Sequence, residues 1–169
     1  MAIFSENLEN LRALYVDQLQ HLLSVETQLT EALPKMADAA TDTQLKQAFT
    51  NHLQETRQHV TRLKQILGNT QQNVDSKKCK PMAALISDGE EMIKNAKDNA
   101  VRDAGLILAG QRVEHFEMAS YGAVRQYAQL LGDQQAVQLL EQTLKEEGNA
   151  DHLLTEISKT ANQRANKAA

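Results

Sequence analysis

Proline, glycine and aromatic residues are scarce in this sequence. Its 169 residues include 2 Pro and 7 Gly, too few for a β-rich chain with many tight turns. Tryptophan is absent and aromatic residues make up 4%, which argues against an aromatic cage or a base-stacking surface. Long stretches instead use Ala, Leu, Gln, Glu and Lys, which have high helix propensities. The composition therefore predicts an all-α protein.

Cysteine, positive charge and long apolar runs are also in short supply. The single cysteine, Cys79, excludes an internal disulfide, is typical of a reducing compartment, and is interpreted as a bystander in a linker. The net charge of −4 disfavours non-specific binding to nucleic acid or to an anionic membrane. No run of 18 apolar residues occurs, and the first residues lack the basic start and apolar stretch of a signal peptide. We expect a cytoplasmic protein with no nucleic-acid or membrane partner.

Local signals divide the chain into helices. Thr41 opens a capping-box pattern, and Gly68 is expected to end the second helix in a left-handed conformation. Asp98 is expected to cap the third long helix, and Gly132 followed by Asp133 predicts a tight turn between two helices. The predicted helices lie near residues 6–40, 42–67, 81–96, 98–131 and 133–160, with a frayed tail at 161–169.

The connection between the second and third long helices is much longer than the other turns. It contains a polar segment and a short helix that Pro81 begins. Two antiparallel helical hairpins joined by a long crossover are typical of a ferritin-like four-helix bundle. The sequence therefore predicts a single ferritin-like domain over residues 1–169, with a short fifth helix in the crossover.

Acidic residues and histidines interrupt the apolar face of every long helix. They lie at positions where helical periodicity places buried side chains. Distance from the turns groups them further: Glu26 lies 15 residues before Thr41, and Glu117 lies 15 residues before Gly132. Because antiparallel helices have equal height at equal distance from their turn, each hairpin presents facing carboxylates roughly 22 Å from the turn. Hairpins packed with their turns level would bring all four helices into one acidic layer.

Several carboxylates in an apolar layer cannot all remain ionised and unpaired, because desolvation and mutual repulsion are costly. They can share protons, which raises their pKa values. They can pair with Arg or Lys, although none interrupts the acidic turns of the third and fourth long helices. They can also bind cations, since carboxylate oxygen and imidazole suit Mn, Fe or Zn.

Four segments resemble the bacterial YciE/YciF family of ferritin-like stress proteins. These are residues 111–122 (QRVEHFEMASYG), 24–29 (SVETQL), 52–56 (HLQET) and 143–147 (TLKEE), and the similarity runs roughly over 8–157. The resemblance implies a ferritin-like fold, a homodimer, an association with stress response and no settled activity.

Comparison with the wider di-iron pattern of ferritin and rubrerythrin suggests a ligand set. Glu55 resembles the second-helix glutamate, but the histidine follows four residues later, as His59, instead of three. The usual fourth-helix histidine is absent, and Asp151 lies four residues after Glu147. The resemblance implies two divalent ions, Fe or Mn with Zn as an alternative. The predicted metal ligands are Glu26, Glu55, His59, Glu114, Glu117, Glu147 and Asp151.

The other chemically capable residues near this layer have ordinary interpretations. His52, on the same helix face, is interpreted as a hydrogen-bonded core residue, and Tyr121 as core packing instead of a redox neighbour. His115 and His152 are expected off the acidic stripe.

Three functions remain open from the sequence. The first is a di-metal redox protein acting on peroxide or oxygen. The second is a structural or binding protein whose metal or protonated layer only stabilises the bundle. The third is a mini-ferritin that stores iron. Storage requires a cage, for which the sequence gives no sign, and we expect a homodimer.

Overall fold

The computed structural model describes residues 8–70 and 74–167. All of the regular secondary structure in this part of the chain is helical. The described residues form five helices, which are α1 (Leu11–Ala39), α2 (Thr43–Asn69), α3 (Lys80–Asn95), α4 (Asn99–Leu130) and α5 (Gln134–Asn166). The predicted all-α fold class, a ferritin-like bundle of two hairpins, is confirmed.

Side-chain caps explain where the helices begin. Asn10 accepts a hydrogen bond from the backbone N–H of Ala13 and caps α1, which starts at Leu11. The start predicted near residue 6 lies outside the described residues. Asp98 and Asp133 cap α4 and α5, as predicted. Asp42 caps α2 in place of Thr41.

Thr41 cannot serve as a cap because Asp103, at the start of α4, engages it. The Asp103 carboxylate accepts hydrogen bonds from the backbone N–H of Thr41 at 2.8 Å and from its hydroxyl at 2.6 Å. The same carboxylate accepts a third bond, at 2.9 Å, from the backbone N–H of Asp42. The loop between α1 and α2 is thereby fixed against the N-terminal part of α4.

Two predicted helix ends are wrong. Gly68 lies inside α2, which continues to Asn69, and among the described residues the glycine with positive φ is Gly132, at 78°. The predicted frayed tail is helical as far as Asn166, because Ala161 is fully buried on the core. Residues 168–169 of that tail lie outside the described residues.

The two hairpins, α1–α2 and α4–α5, pack with their turns at opposite ends of the bundle. Arg164, near the end of α5, pairs with Asp42 in the α1–α2 loop. At the other end, Asn69 of α2 donates to Gln135 in the first turn of α5. The expectation of level turns is therefore wrong, and α2 pairs with α5 while α1 pairs with α4 in antiparallel fashion.

This arrangement requires the crossover to travel the length of the bundle. Lys77 donates its backbone N–H to the Gln20 carbonyl, and its ammonium lies 2.7 Å from Asp17. Further along, the Cys79 N–H donates to the Ser24 hydroxyl. The crossover thus runs along α1, and α3 then packs across α1 and α4.

The apolar core is divided into two clusters by a polar layer at mid-height. One cluster surrounds Phe49 and Leu154, and the other surrounds Leu22 and Leu140. Apolar side chains of α3, including the fully buried Met82, complete the first cluster. Within the described residues, no helix has an apolar stretch long enough to cross a membrane.

Candidate metal centre

Six ionisable side chains fill the layer between the two apolar clusters. All four bundle helices contribute, and no member is more than 6% exposed. The members are Glu26 from α1, His52 and His59 from α2, Glu114 and Glu117 from α4, and Glu147 from α5.

These side chains form two groups that share one carboxylate. In each group the potential ligand atoms all lie within 4.8 Å of one another. The His52 group consists of His52, Glu114, Glu117 and Glu147, and the His59 group consists of Glu26, His59 and Glu147. Glu147 belongs to both, so its two oxygens could bridge two ions.

His59 is held between a buried pair of carboxylates and a more exposed one. Its Nδ1 lies 2.9 Å from Glu147 Oε1 and 3.4 Å from Glu26 Oε1. Its Nε2 forms a 2.9 Å hydrogen bond with Glu146 Oε2 on the opposite side of the ring. One nitrogen therefore points into the layer, while the other is anchored outside it.

Glu146 is itself fixed by three neighbours. Arg62 donates to both of its oxygens, and Gln142 donates to Oε1 at 3.1 Å. Burial disfavours the charged form of Glu146, but the hydrogen bonds from Arg62, Gln142 and His59 outweigh it and lower the pKa to about 2. Glu146 is thus a permanent anion beside the imidazole.

His52 repeats this arrangement in a more exposed setting. Its Nε2 lies 3.4 Å from Glu114 and 3.5 Å from Glu147, while its Nδ1 lies 3.2 Å from Glu55. Burial disfavours protonation of His52, but the carboxylates of Glu114, Glu55 and Glu147 outweigh it and raise its pKa to about 9. In His59 burial is likewise outweighed, by Glu147 and Glu26, and the pKa rises to about 11.

Tyr121 completes the layer from α4. Its fully buried hydroxyl donates a hydrogen bond to Glu26 Oε1. Burial, followed by the Glu26 and Glu147 carboxylates, raises the pKa of Tyr121 well above its ordinary value. The phenol therefore remains a neutral donor to Glu26, which is a more specific role than the core packing expected from the sequence.

Many polar atoms of the layer have no hydrogen-bond partner within residues 8–70 and 74–167. Both oxygens of Glu117 and of Glu147, one oxygen of Glu26 and of Glu114, and Nδ1 of His59 are buried without one. Although Nδ1 lies 2.9 Å from Glu147, the ring N–H direction does not satisfy hydrogen-bond geometry. Buried polar atoms are nearly always paired in native proteins, so these atoms are candidates for binding protons or cations.

Proximity of the carboxylates also disfavours their ionised forms. Burial and then the charge of Glu147 raise the pKa of Glu117 well above its ordinary value. Burial is the main cause for Glu114 as well, whose pKa is raised to about 8, and it raises the pKa of Glu26. Without a cation, protons must therefore stabilise the layer.

Five of the seven ligands predicted from the sequence lie together in this layer, namely Glu26, His59, Glu114, Glu117 and Glu147. Glu55 does not: its side chain is 47% exposed and contacts the far side of His52. Asp151 does not either, since it lies 3.2 Å from the exposed His115 and contacts Gln111. The predicted burial of Glu55 and Asp151 in the layer is wrong.

Helix geometry explains why His52 takes the position expected for Glu55. At about 100° per residue, positions seven apart differ in direction by only about 20°, so His52 and His59 face the same way. Glu55, three residues after His52, is rotated by about 60° from it. The seven-residue spacing of the histidines could have identified His52 as a member of the layer. The three-residue spacing of His59 and Arg62 could have indicated that both bind one carboxylate, that of Glu146.

Comparisons with known proteins agree with this architecture. Residues 10–167 match the family described as a domain of unknown function, DUF892. Protein YciF of Escherichia coli strain K12 is 40% identical over 154 residues, which are 90% of this chain and 92% of that protein.

Solved structures show the same likeness. The crystal structure of the E. coli stress protein YciF matches with a TM-score of 0.88 at 37% identity, covering 92% of this chain and 98% of that one. YcfI of Rhodopseudomonas palustris matches with a TM-score of 0.87 at 34% identity, covering 90% and 97%. The chain therefore belongs to the DUF892 family, and its resemblance to the YciE/YciF proteins is confirmed.

Proposed function

We propose that the chain binds two divalent metal ions, iron or manganese, in the layer between its core clusters. The observation that carries this proposal is that both oxygens of Glu117 are buried without a hydrogen-bond or ion-pair partner among the described residues. Beside them, His59 Nδ1 and Glu147 Oε1 lie 2.9 Å apart as an ion pair without hydrogen-bond geometry. Carboxylate oxygens and imidazole nitrogens are ligands that suit Fe(II) and Mn(II), and cations would supply the partners that these atoms lack.

The residues present fit such a centre. Glu26, His59 and Glu147 would hold one ion, and His52, Glu114, Glu117 and Glu147 would hold the other. Glu146 and Glu55 would orient the two histidines through the ring nitrogens that face away from the ions. Tyr121 would fix one oxygen of Glu26 and leave the other free for binding.

The reaction class that we propose is reduction of peroxide or dioxygen. Bound iron would supply two electrons, one from each ion, so that hydrogen peroxide and two protons become two molecules of water. The protein would contribute a water-poor layer, fixed carboxylates, and histidines held in one orientation by outer anions. The likeness to the E. coli stress protein supports a place for this activity in stress response.

A second function has its own support. Close contacts between histidines and carboxylates, such as His59 with Glu147 at 2.9 Å, would also suit a metal-free layer that shares protons. In that case the layer would only stabilise the bundle, and the protein would serve a structural or binding role.

Metal analysis separates the two functions. Protein purified without chelator should contain close to two ions per chain, and Glu147→Gln should lose both because Glu147 belongs to both groups. Glu141→Gln is the control, since Glu141 is exposed and pairs with Arg125 outside the layer. Fe(II)-loaded protein should consume one hydrogen peroxide for every two Fe(II) oxidised. Metal-free protein whose melting temperature does not rise with Mn(II) would instead favour the protonated layer.

We also propose that the chain forms a cytoplasmic homodimer and not a storage cage. The apolar side chains of α3 pack largely on the bundle itself. Exposed apolar side chains on α4, Val101 and Leu108, are an alternative contact surface. Light scattering should give the mass of two chains, and a particle of 12 or 24 chains would contradict the proposal.

A further inference from the structure

The two ends of the layer between the apolar clusters differ in their access to solvent. At the His59 end, the side chains of Glu26, His59 and Glu147 are fully buried. Arg62 and Glu146 lie outside them and are joined by hydrogen bonds, with Arg62 also donating to the Thr143 hydroxyl at 3.1 Å. An ion at this end would have to displace an ordered charged pair in order to leave.

At the His52 end, a cleft between α2 and α5 reaches the layer. Its volume is about 150 Å³, and the residues lining it include His52, Glu55, Glu114, Asn149, Ala150 and Leu153. Glu114 has a buried oxygen without a hydrogen-bond partner, while Glu55 is 47% exposed. The cleft therefore connects an exposed carboxylate to a buried one through the imidazole of His52.

The chemistry of this lining suits a cation. Among the described residues that line the cleft, none is lysine or arginine, and His52 is the side chain that can carry a positive charge, beside the carboxylates of Glu55 and Glu114. Asn51 and Asn149 add neutral amide groups. A volume of 150 Å³ is many times the roughly 10–15 Å³ that one water requires, so the cleft has room for a divalent ion that keeps part of its hydration shell. Carboxylate and amide oxygens can replace the water ligands stepwise as the ion moves inwards.

Gly110 leaves room for the apolar side chains that line one side of the cleft. A Cβ at Gly110 of α4 would lie 2.9 Å from Leu154 Cδ1 and 3.4 Å from Phe49 Cε1, and both of these side chains line the cleft. Glycine at this position therefore lets Leu154 and Phe49 pack close to α4. A larger residue there would push them towards the open space.

We propose that this cleft is the route by which divalent cations reach the metal centre, with Glu55 as the first carboxylate that receives them. The proposal rests on the proposed function and adds that the two metal positions differ in their rate of exchange with solvent. The ion of the His52 group exchanges quickly through the cleft, and the ion of the His59 group exchanges slowly. Glu55 thereby acts in transfer and not as a permanent ligand.

Chelator-driven release from the Co(II)-loaded full chain tests this inference. Release followed by the loss of Co(II) absorbance should have two phases of equal amplitude that differ in rate by at least tenfold. Ala150→Trp, which fills the cleft without removing a ligand, should slow the fast phase about tenfold and leave the slow phase and the two-ion stoichiometry unchanged. Ala119→Trp is the control, because Ala119 is exposed on α4 outside the cleft.

A second variant avoids any change in packing. Asn149 is exposed at the cleft, so Asn149→Lys should slow Co(II) uptake at low salt by electrostatic repulsion, and high salt should restore the rate. Two bound ions with wild-type rates in both Ala150→Trp and Asn149→Lys would overturn the cleft as the route. Should Ala150→Trp not fold, wild-type uptake in Asn149→Lys alone would overturn it. Absence of bound metal in the wild type would refute the proposed function itself, which is a different result.

Discussion

Glu146 holds the His59 imidazole from the side opposite to Glu147, with a 2.9 Å hydrogen bond to Nε2. The two glutamates are consecutive in α5, yet one is fully buried and the other is 23% exposed and bound to Arg62. Because a strong anion outside the layer fixes Nε2 as a donor, Nδ1 is the nitrogen available to a cation. Two adjacent carboxylates thus serve different purposes, one as a ligand and one as a support.

Glu146→Gln should weaken metal binding without removing a ligand. Loss of the anion that orients a metal-binding histidine typically costs 10–100-fold in affinity. Titration calorimetry with Mn(II) should show this loss in the His59 position, and NMR titration of the metal-free protein should show a lower His59 pKa, since Glu146 supports the imidazolium. Glu141→Gln on the same helix should change neither quantity, because Glu141 contacts Arg125 instead. Unchanged affinity in Glu146→Gln would show that Glu146 has no orienting role.

Metal-free protein should become less stable as pH rises. The folded-state pKa of Glu114, raised by burial to about 8, lies above its ordinary value of 4.5, and that of His52 is about 9 against 6.5. The folded state therefore retains protons that the unfolded chain has released, and the free energy of unfolding falls between about pH 5 and pH 9. Glu146 has a lowered pKa, so its contribution is lost only in acid, below that range. Urea denaturation in EDTA at several pH values measures the slope, and a rising free energy of unfolding would contradict the buried, proton-sharing layer.

Adding Mn(II) should reverse this slope near neutral pH. Metal binding requires deprotonated carboxylates and imidazoles, so affinity increases with pH and stabilises the folded state by linkage.

Glu117→Gln should relieve repulsion in the metal-free protein in a pH-dependent way. Both Glu117 oxygens are buried without a partner, and its pKa is raised well above the ordinary value by burial and by Glu147. Glutamine has the shape of the protonated acid and no charge to desolvate. The variant should match the wild type at about pH 4, where Glu117 is largely protonated in both the folded and the unfolded chain. It should exceed the stability of the wild type increasingly as pH rises above that value, by at least about 1–3 kcal/mol at neutral pH, the range for an unpaired buried polar group.

A surface variant and a metal titration serve as controls for the comparison of Glu117→Gln with the wild type. Glu91→Gln, at an exposed position of α3, should show no pH-dependent difference. In Glu117→Gln the rise in melting temperature on adding Mn(II) should be smaller than in the wild type. Destabilisation at every pH would mean that Glu117 has a positively charged partner, against the arrangement described here.

The sequence was sufficient to predict the bundle and the height of the acidic layer, but not the direction of one hairpin. Glu26 and Glu117 lie near the middle of helices of 29 and 32 residues, so turning a hairpin end for end leaves them at mid-height. What fixes the direction is tertiary: Asp103 binds the α1–α2 loop. The helical periodicity of the sequence cannot predict that contact.

The choice between His52 and Glu55 was also beyond the sequence pattern. The two side chains differ by about 60° around α2, which lies within the width of a buried helix face. Only the packing of α2 against α4 and α5 determines that His52 faces Glu114 and that Glu55 reaches solvent.

Gly68 was expected to end α2 in a left-handed conformation. In the structure Gly68 is exposed inside α2, and a Cβ there would meet no atom within 4 Å. Gly68→Ala should therefore stabilise the protein by about 0.5–1 kcal/mol, because alanine loses less conformational entropy in a helix. Gly132, with φ of 78° between α4 and α5, provides the matched contrast: Gly132→Ala should destabilise by about 1–2 kcal/mol, since a Cβ disfavours the left-handed region. Thermal melts should move in opposite directions for the two variants. A lower melting temperature for Gly68→Ala would indicate that Gly68 adopts a left-handed conformation and that α2 ends before it.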